Sequence, residues 1–148
     1  MMMKKNLLLK LGVFVLAASS LMACKKYRKY DNMEVVEDSF TGNVIIESVG
    51  SDPGGDFEGS GDSGVFSFVW DNSSDKAELN YDITSNTGSV QFIINDAKGN
   101  EVLNKTRNAG GDDTFSGNTD SGKKGKWLVQ ITLTDFNGDG SFSLSPVE

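Results

Sequence analysis

The chain has 148 residues, with 14 Lys+Arg against 21 Asp+Glu, one cysteine and no histidine. Without His there is no Ser-His-Asp or Cys-His nucleophile pair, no His-ligated zinc and no imidazole acid or base near neutral pH, and one Cys allows neither an intramolecular disulfide nor a Cys-rich metal site. The length suits one domain of modest core, and a net charge of −7 disfavours nucleic acid, whose phosphates call for clustered Lys and Arg.

Residues 1–23 carry Lys4, Lys5 and Lys10, no acidic residue, and an apolar stretch from Leu11 to Ala18. This is the pattern of a secretory signal peptide, and its apolar run is well short of the ~20 residues that span a bilayer as a helix. The tetrapeptide Leu21-Met22-Ala23-Cys24 resembles a bacterial lipobox. That resemblance implies that Cys24 is lipidated and becomes the first residue of the mature protein, anchoring it to a membrane. A lone thiol would otherwise be an odd leftover in an oxidising compartment. Lys25 is not the Asp that, in enteric-type bacteria, marks retention at the inner membrane, so by the same resemblance the outer membrane is the expected location.

Residues 24–32 form the next unit. Lys25, Lys26, Arg28 and Lys29 are interleaved with Tyr27 and Tyr30, whereas the chain from Asp31 onward carries a net −14. A cationic segment of this kind reads either as a tether drawn to an anionic membrane surface or as a solvated linker. The remaining residues, 33–148, are expected to form one β-sandwich domain.

In that domain, runs rich in Val, Ile, Phe, Thr and Trp are separated by Gly/Asp/Asn/Ser clusters at spacings of roughly 8–12 residues. No window repeats apolar residues at helical spacing over three turns. In chain order, Val35 to Phe40 reads as a weak strand and Val44 to Val49 as a firmer one. The Gly/Ser/Asp-rich stretch from Val49 to Gly64 reads as a mobile loop. Phe66, Phe68 and Trp70 mark a strand that is apolar on both faces through Val65 and Val69, hence central. After a turn at Asn72–Asp75, Ala77, Leu79, Tyr81 and Ile83 alternate with polar residues, and a turn at Asn86-Thr87-Gly88 leads to Val90, Phe92 and Ile94. The turn Asp96–Asn100 precedes a short strand at Val102-Leu103, and a Gly/Asp turn follows at Gly110–Asp113. Trp127, Val129, Ile131 and Leu133 alternate next. A turn at Asn137–Gly140, built from residues that tolerate φ > 0, precedes Phe142 and Leu144. The expectation is an all-β, antiparallel β-sandwich of jelly-roll or immunoglobulin type with about 7–8 strands.

The order Val65–Trp70, Ser89–Ile94, Asp96–Val102, Gly125–Ile131 and Gly140–Leu144 resembles the bacterial pre-peptidase C-terminal domain, over roughly residues 60–146. That likeness implies a small sandwich without catalysis of its own, and a role in binding extracellular polymers or calcium. No peptidase adjoins it here, so only the binding half of that repertoire is implied.

Three features bear on a site. Asp135-Phe136-Asn137-Gly138-Asp139-Gly140 matches the first half of a calcium loop, with Asp135, Asn137 and Asp139 as oxygen donors. Pro146 stands where the bidentate Glu of a complete loop is needed, leaving a partial Ca²⁺ site or a plain hairpin turn. Phe57, Phe115 and Phe136, lodged among Gly, Asp and Ser, are the expected exposed aromatics of a ligand-binding loop. Trp70 and Trp127 fall on the inward phase of their strands and are expected in the core. A two-carboxylate hydrolase would need a cleft holding its carboxyls about 5–9.5 Å apart, for which a sandwich of this size has little wall. The expected function is a lipid-anchored, non-catalytic envelope module binding a polysaccharide or protein. The alternative is a structural subunit of an outer-membrane assembly.

Overall fold

The computed structural model describes residues 27–148, so the expected signal peptide, Cys24, Lys25 and Lys26 lie outside the described residues. Eight strands follow in chain order: β1 (Arg28–Tyr30), β2 (Glu34–Asp38), β3 (Asn43–Val49), β4 (Asp52–Asn72), β5 (Ala77–Asn95), β6 (Glu101–Asn108), β7 (Gly111–Asn118) and β8 (Gly125–Pro146). β4, β5 and β8 run to 21, 19 and 22 residues, against the usual 5–6 or so.

These three strands are not straight. Phe57 and Phe66 both lie on β4, yet their ring centroids are 6.1 Å apart, where an unbent strand would separate them by about 30 Å. Tyr81 and Phe92, both on β5, stack at 5.3 Å. Each long strand therefore folds back across the core, and the register shifts show where: between Ser60 and Gly64 on β4, and between Ser85 and Ser89 on β5. On β8 the bend falls at Asp135, whose φ is 47°. Gly88 answers it from β5 with a φ of 84°, and a Cβ there would collide with the carbonyl oxygens of Thr134 and Asp135. Only glycine combines that backbone with so close an approach.

The pairing consequently divides into two sheets joined through the bends. The front sheet runs β1, β3, first half of β4, second half of β8, first half of β5, β7. The back sheet runs β2, second half of β4, first half of β8, second half of β5, β6. All pairs are antiparallel except β1 with β3, which is parallel. The expected β-sandwich is thus the fold, with three strands serving both layers.

The core lies between the layers. Phe66, Phe68, Val90, Phe92, Val129 and Ile131 of the back sheet meet Val44, Ile46, Leu79, Ile83 and Phe142 of the front, all buried. Phe142 touches both Phe68 (6.2 Å) and Phe92 (5.9 Å) from across the sandwich. Trp70 and Trp127 are buried edge to face at 6.2 Å. Their indole N–H groups donate to the carbonyls of Ser51 (2.9 Å) and Lys123 (2.7 Å), which satisfies the polar handle that burial would otherwise penalise.

Three sequence expectations are corrected here. The segment from Val49 to Gly64 is not a mobile loop: all of it from Asp52 onward belongs to β4, paired to β3 as far as Glu58 and to β8 from Gly54 through the bend. The turn expected at Asn137–Gly140 is a central strand, paired to both β4 and β5, and Asn86–Gly88 is the bend of β5. In β4 and β8 the physical reason is the same. In the inward row Val44, Phe57, Gly140, Ile83, a Cβ on Gly140 would come 2.5 Å from Cζ of Phe57. In the next row, a Cβ on Gly55 would come 3.2 Å from Cε1 of Phe142. These glycines make room for a neighbouring ring within a sheet, a pairing that strands use to cover glycine, and do not mark loops. The third correction concerns residues 24–32: Arg28–Tyr30 form β1, and Arg28 is largely buried, with its Nε 2.8 Å from Asp38. This part of the expected tether belongs to the domain.

The turn at Asp96–Asn100 is present as expected. The Asp96 carboxylate accepts from the backbone N–H groups of Lys123 (2.8 Å), Asn100 (2.8 Å) and Lys98 (3.0 Å), and these donors, Lys123 first, hold its carboxyl below the usual range.

Candidate functional site

Because side chains alternate across a strand, the front sheet's inward aromatics dictate what faces outward. Register places Asn43, Glu58, Asp139, Thr84 and Asp112 in one outward row, and Ile45, Asp56, Ser141, Asp82 and Thr114 in the next. A groove of about 550 Å³ lies over these rows. A second hollow of about 350 Å³ continues it along the strands, sharing Ile45, Asp56 and Ser141.

The groove is polar and acidic. Asp56, Glu58, Asp82 and Asp139 are all exposed, and the described ion pairs join other residues: Arg28 with Asp38, Lys29 with Glu47, Arg107 with Asp113, and Lys126 with Glu34. Glu58 and Asp139 stand directly opposite each other on neighbouring strands, an arrangement that costs stability because like charges repel. Carboxylates only accept hydrogen bonds, so this surface favours a partner rich in O–H or N–H donors and repels anions.

One rim of the groove carries an exposed ring. Tyr27 is 58% exposed, and its backbone is fixed to β3: its N–H donates to Oδ1 of Asn43 (3.0 Å) and its carbonyl accepts from the N–H of Val44 (3.0 Å). An exposed aromatic face on a fixed backbone, beside carboxylate acceptors, suits a molecule with one apolar face and polar edges.

The residues singled out from sequence fall elsewhere. Phe57 and Phe136 are buried, at 2% and 0% exposure, with their rings 5.5 Å apart in the core. They are therefore not exposed loop aromatics. Phe115 on β7 is half-buried, stacked on Tyr81 at 5.3 Å with Nζ of Lys105 4.8 Å from its ring centroid. The Tyr81 hydroxyl donates to Asp113 at 3.2 Å, and burial, reinforced by the Asp113 charge, pushes its pKa up to about 12.

Asp135, Asn137 and Asp139 lie on β8 itself rather than on a curling loop. Asn137 and Asp139 are alternate residues of the strand, about 6.8 Å apart along it, and Asp135 stands at the bend, whereas the calcium loop they match in sequence curls around its ion. Asp135 is instead held at the bend, its N–H donating to Oγ of Ser63 at 2.8 Å. Among the described residues no group of three His, Cys, Asp or Glu side chains is placed to hold a metal ion. Sequence reasoning missed Tyr27 and the acidic row of the groove. The signal available was parity: Asp56 and Glu58 flank the inward Phe57 as Asp82 flanks Tyr81 and Ile83.

No protein-family model matches the chain, and no curated protein matches it. Among solved structures it is similar to the module TmCBM61 in complex with β-1,4-galactotriose, at 13% identity over 80% of this chain and 91% of that one, with a TM-score of 0.53. Fainter likenesses are to the CBM36-1 domain of a multidomain xylanase from the hindgut metagenome of Trinervitermes trinervoides (12% identity, 79% and 93% covered, TM-score 0.44) and to a carbohydrate-binding module from Cellvibrio mixtus lichenase 5A in complex with cellotriose (14%, 72% and 88%, TM-score 0.40). At such identities the likeness is one of fold.

Proposed function

We propose that the protein is a non-catalytic module that binds a neutral polysaccharide along the outer face of its front sheet, and that Cys24 anchors it by lipid to the outer membrane of a bacterial envelope. The observation that carries the binding reading is the groove itself: an exposed ring at one rim and a floor of hydrogen-bond acceptors, Asp56, Glu58, Asp82 and Asp139, with none of them engaged in a described ion pair. Sugar hydroxyls donate to carboxylates through charge-assisted hydrogen bonds, and the acidic floor selects against uronic or sulfated chains by repulsion. A sandwich shared with carbohydrate-binding modules is consistent with this reading. Catalysis is no part of this reading: these carboxyls stand exposed on the outer face of the sheet. The anchor rests on the Leu21–Cys24 motif.

Titration calorimetry against neutral and anionic oligosaccharides tests the binding reading. Tyr27→Ala is expected to weaken binding of a neutral chain at least tenfold, about 1.4 kcal/mol, with the melting temperature nearly unchanged. Equal affinity for neutral and anionic chains, or no effect of Tyr27→Ala together with Asp56→Asn, would overturn it. For the anchor, the full chain expressed in a bacterium should incorporate labelled palmitate, and Cys24→Ser should not.

A further inference from the structure

The lipid-anchor reading has a geometric corollary, because the chain is locked into the fold almost as soon as it leaves Cys24. Tyr27 is bonded through both backbone groups to β3, Arg28 pairs with Asp38 and donates to the carbonyl of Gly42, and the Asp31 N–H donates to Ile46 at 2.9 Å. Three peptide steps separate the Cα atoms of Cys24 and Tyr27, a reach of at most about 11 Å. A free nine-residue tether would instead average about 15–18 Å and extend much further. Tyr27 is also the ring on the rim of the groove.

We infer, on the premise that Cys24 is lipidated, that the module is held on a short leash with the β1/β3 edge against the bilayer, so that its groove takes a glycan displayed at the surface of the membrane that anchors it. The far edge of the front sheet, β7, lies four strand spacings beyond β3, about 19 Å away. The groove and its continuation run along the strands, so a chain lying in it extends parallel to β3 and hence along the lipid surface. Charge plays a smaller part than the sequence implied. Arg28 and Lys29 are engaged by Asp38 and Glu47 within the domain, and covalent reach caps the distance.

The test uses the full-length lipidated protein in vesicles of phosphatidylethanolamine and phosphatidylglycerol bearing a headgroup acceptor dye. A donor is placed at Glu58→Cys, on the strand next to β3, or at Thr106→Cys, on β6 at the opposite side; both positions are exposed, and circular dichroism checks that each variant folds. Energy transfer from position 58 is expected to exceed that from 106 about twofold. Inserting about 12 Gly/Ser residues between Lys26 and Tyr27, a segment that itself spans about 20 Å on average, should abolish the difference. Equal transfer from both positions in protein shown to carry palmitate would overturn the inference while leaving the anchor intact. Absence of palmitate would overturn both, and calorimetry on the soluble Cys24→Ser chain reports separately on glycan binding.

Discussion

The two sheets are built from the same three strands, yet their sequences have little in common. The back sheet uses Val65–Trp70, Val90–Ile94 and Trp127–Leu133, which read as strands at sight. The front sheet uses Asp52–Ser60, Ala77–Ser85 and Phe136–Pro146, and two of these three are dominated by Gly, Asp and Ser. The back sheet fills its half of the core with a side chain at nearly every inward position. The front sheet alternates rings with glycines, Phe57 beside Gly140 and Phe142 beside Gly55, and spends its outward positions on hydroxyls and carboxylates. A sheet whose outer face is polar and whose inner face alternates rings with glycines can thus take on the composition of a loop while remaining the middle of a sandwich.

Mutations can break this comparison. The largest loss is expected in the back sheet, where Trp127→Ala removes a fully buried indole and should cost about 3–5 kcal/mol in denaturant unfolding. Gly140→Val puts a branched side chain into the ring of Phe57 and should cost about 1–3 kcal/mol or more by overpacking. A change under about 0.5 kcal/mol, as expected at an exposed surface position, would mean that the Gly-rich half does not pack as a strand. The smallest effect is alkaline. Tyr81, on the front half of β5, has its pKa raised from 10.0 to about 12 in the folded chain by burial and then by Asp113. Its contribution is therefore complete below pH 10 and falls as pH climbs toward 12, because the unfolded chain ionises first. Tyr30 on β1 shifts in the same direction, through burial and then the charge of Asp38. Urea unfolding at several pH values should show a shallower alkaline decline for Tyr81→Phe than for the parent protein, and identical slopes would remove Tyr81 from the account.

What the sequence makes legible follows from the same contrast. Strict alternation in Ala77–Ile83 and Trp127–Leu133 identifies both strands and their buried faces, and the Asp96–Asn100 turn is readable because the side chain of Asp96 caps its own loop. Asp52–Gly64 and Asn137–Gly140 mislead because glycine signals a turn when it is read alone, and becomes a strand residue only when the ring opposite it is known. That ring is some 80 residues away in the chain for Phe57 and Gly140, so no local window contains both. The site suffers from the same error: once Phe57 is placed on a loop it looks exposed, and its neighbours Asp56 and Glu58 lose the parity that points them outward. Tyr27 is hidden differently, because β1 is a three-residue parallel strand whose only local marks are charge and aromatic interleaving, which equally describe a linker.

The continuity of β4, β5 and β8 through both layers also bears on how the molecule comes apart. A sandwich made of separate sheets has a seam along which one layer can loosen while the other persists. Here every central strand crosses that seam as covalent backbone, so neither layer can open at its centre without drawing on the other. Unfolding should therefore be a single cooperative event. The slowest-exchanging amides should form one set running along all three strands on both sides of the bends, with the rapidly exchanging ones confined to β1, β2, β6 and β7.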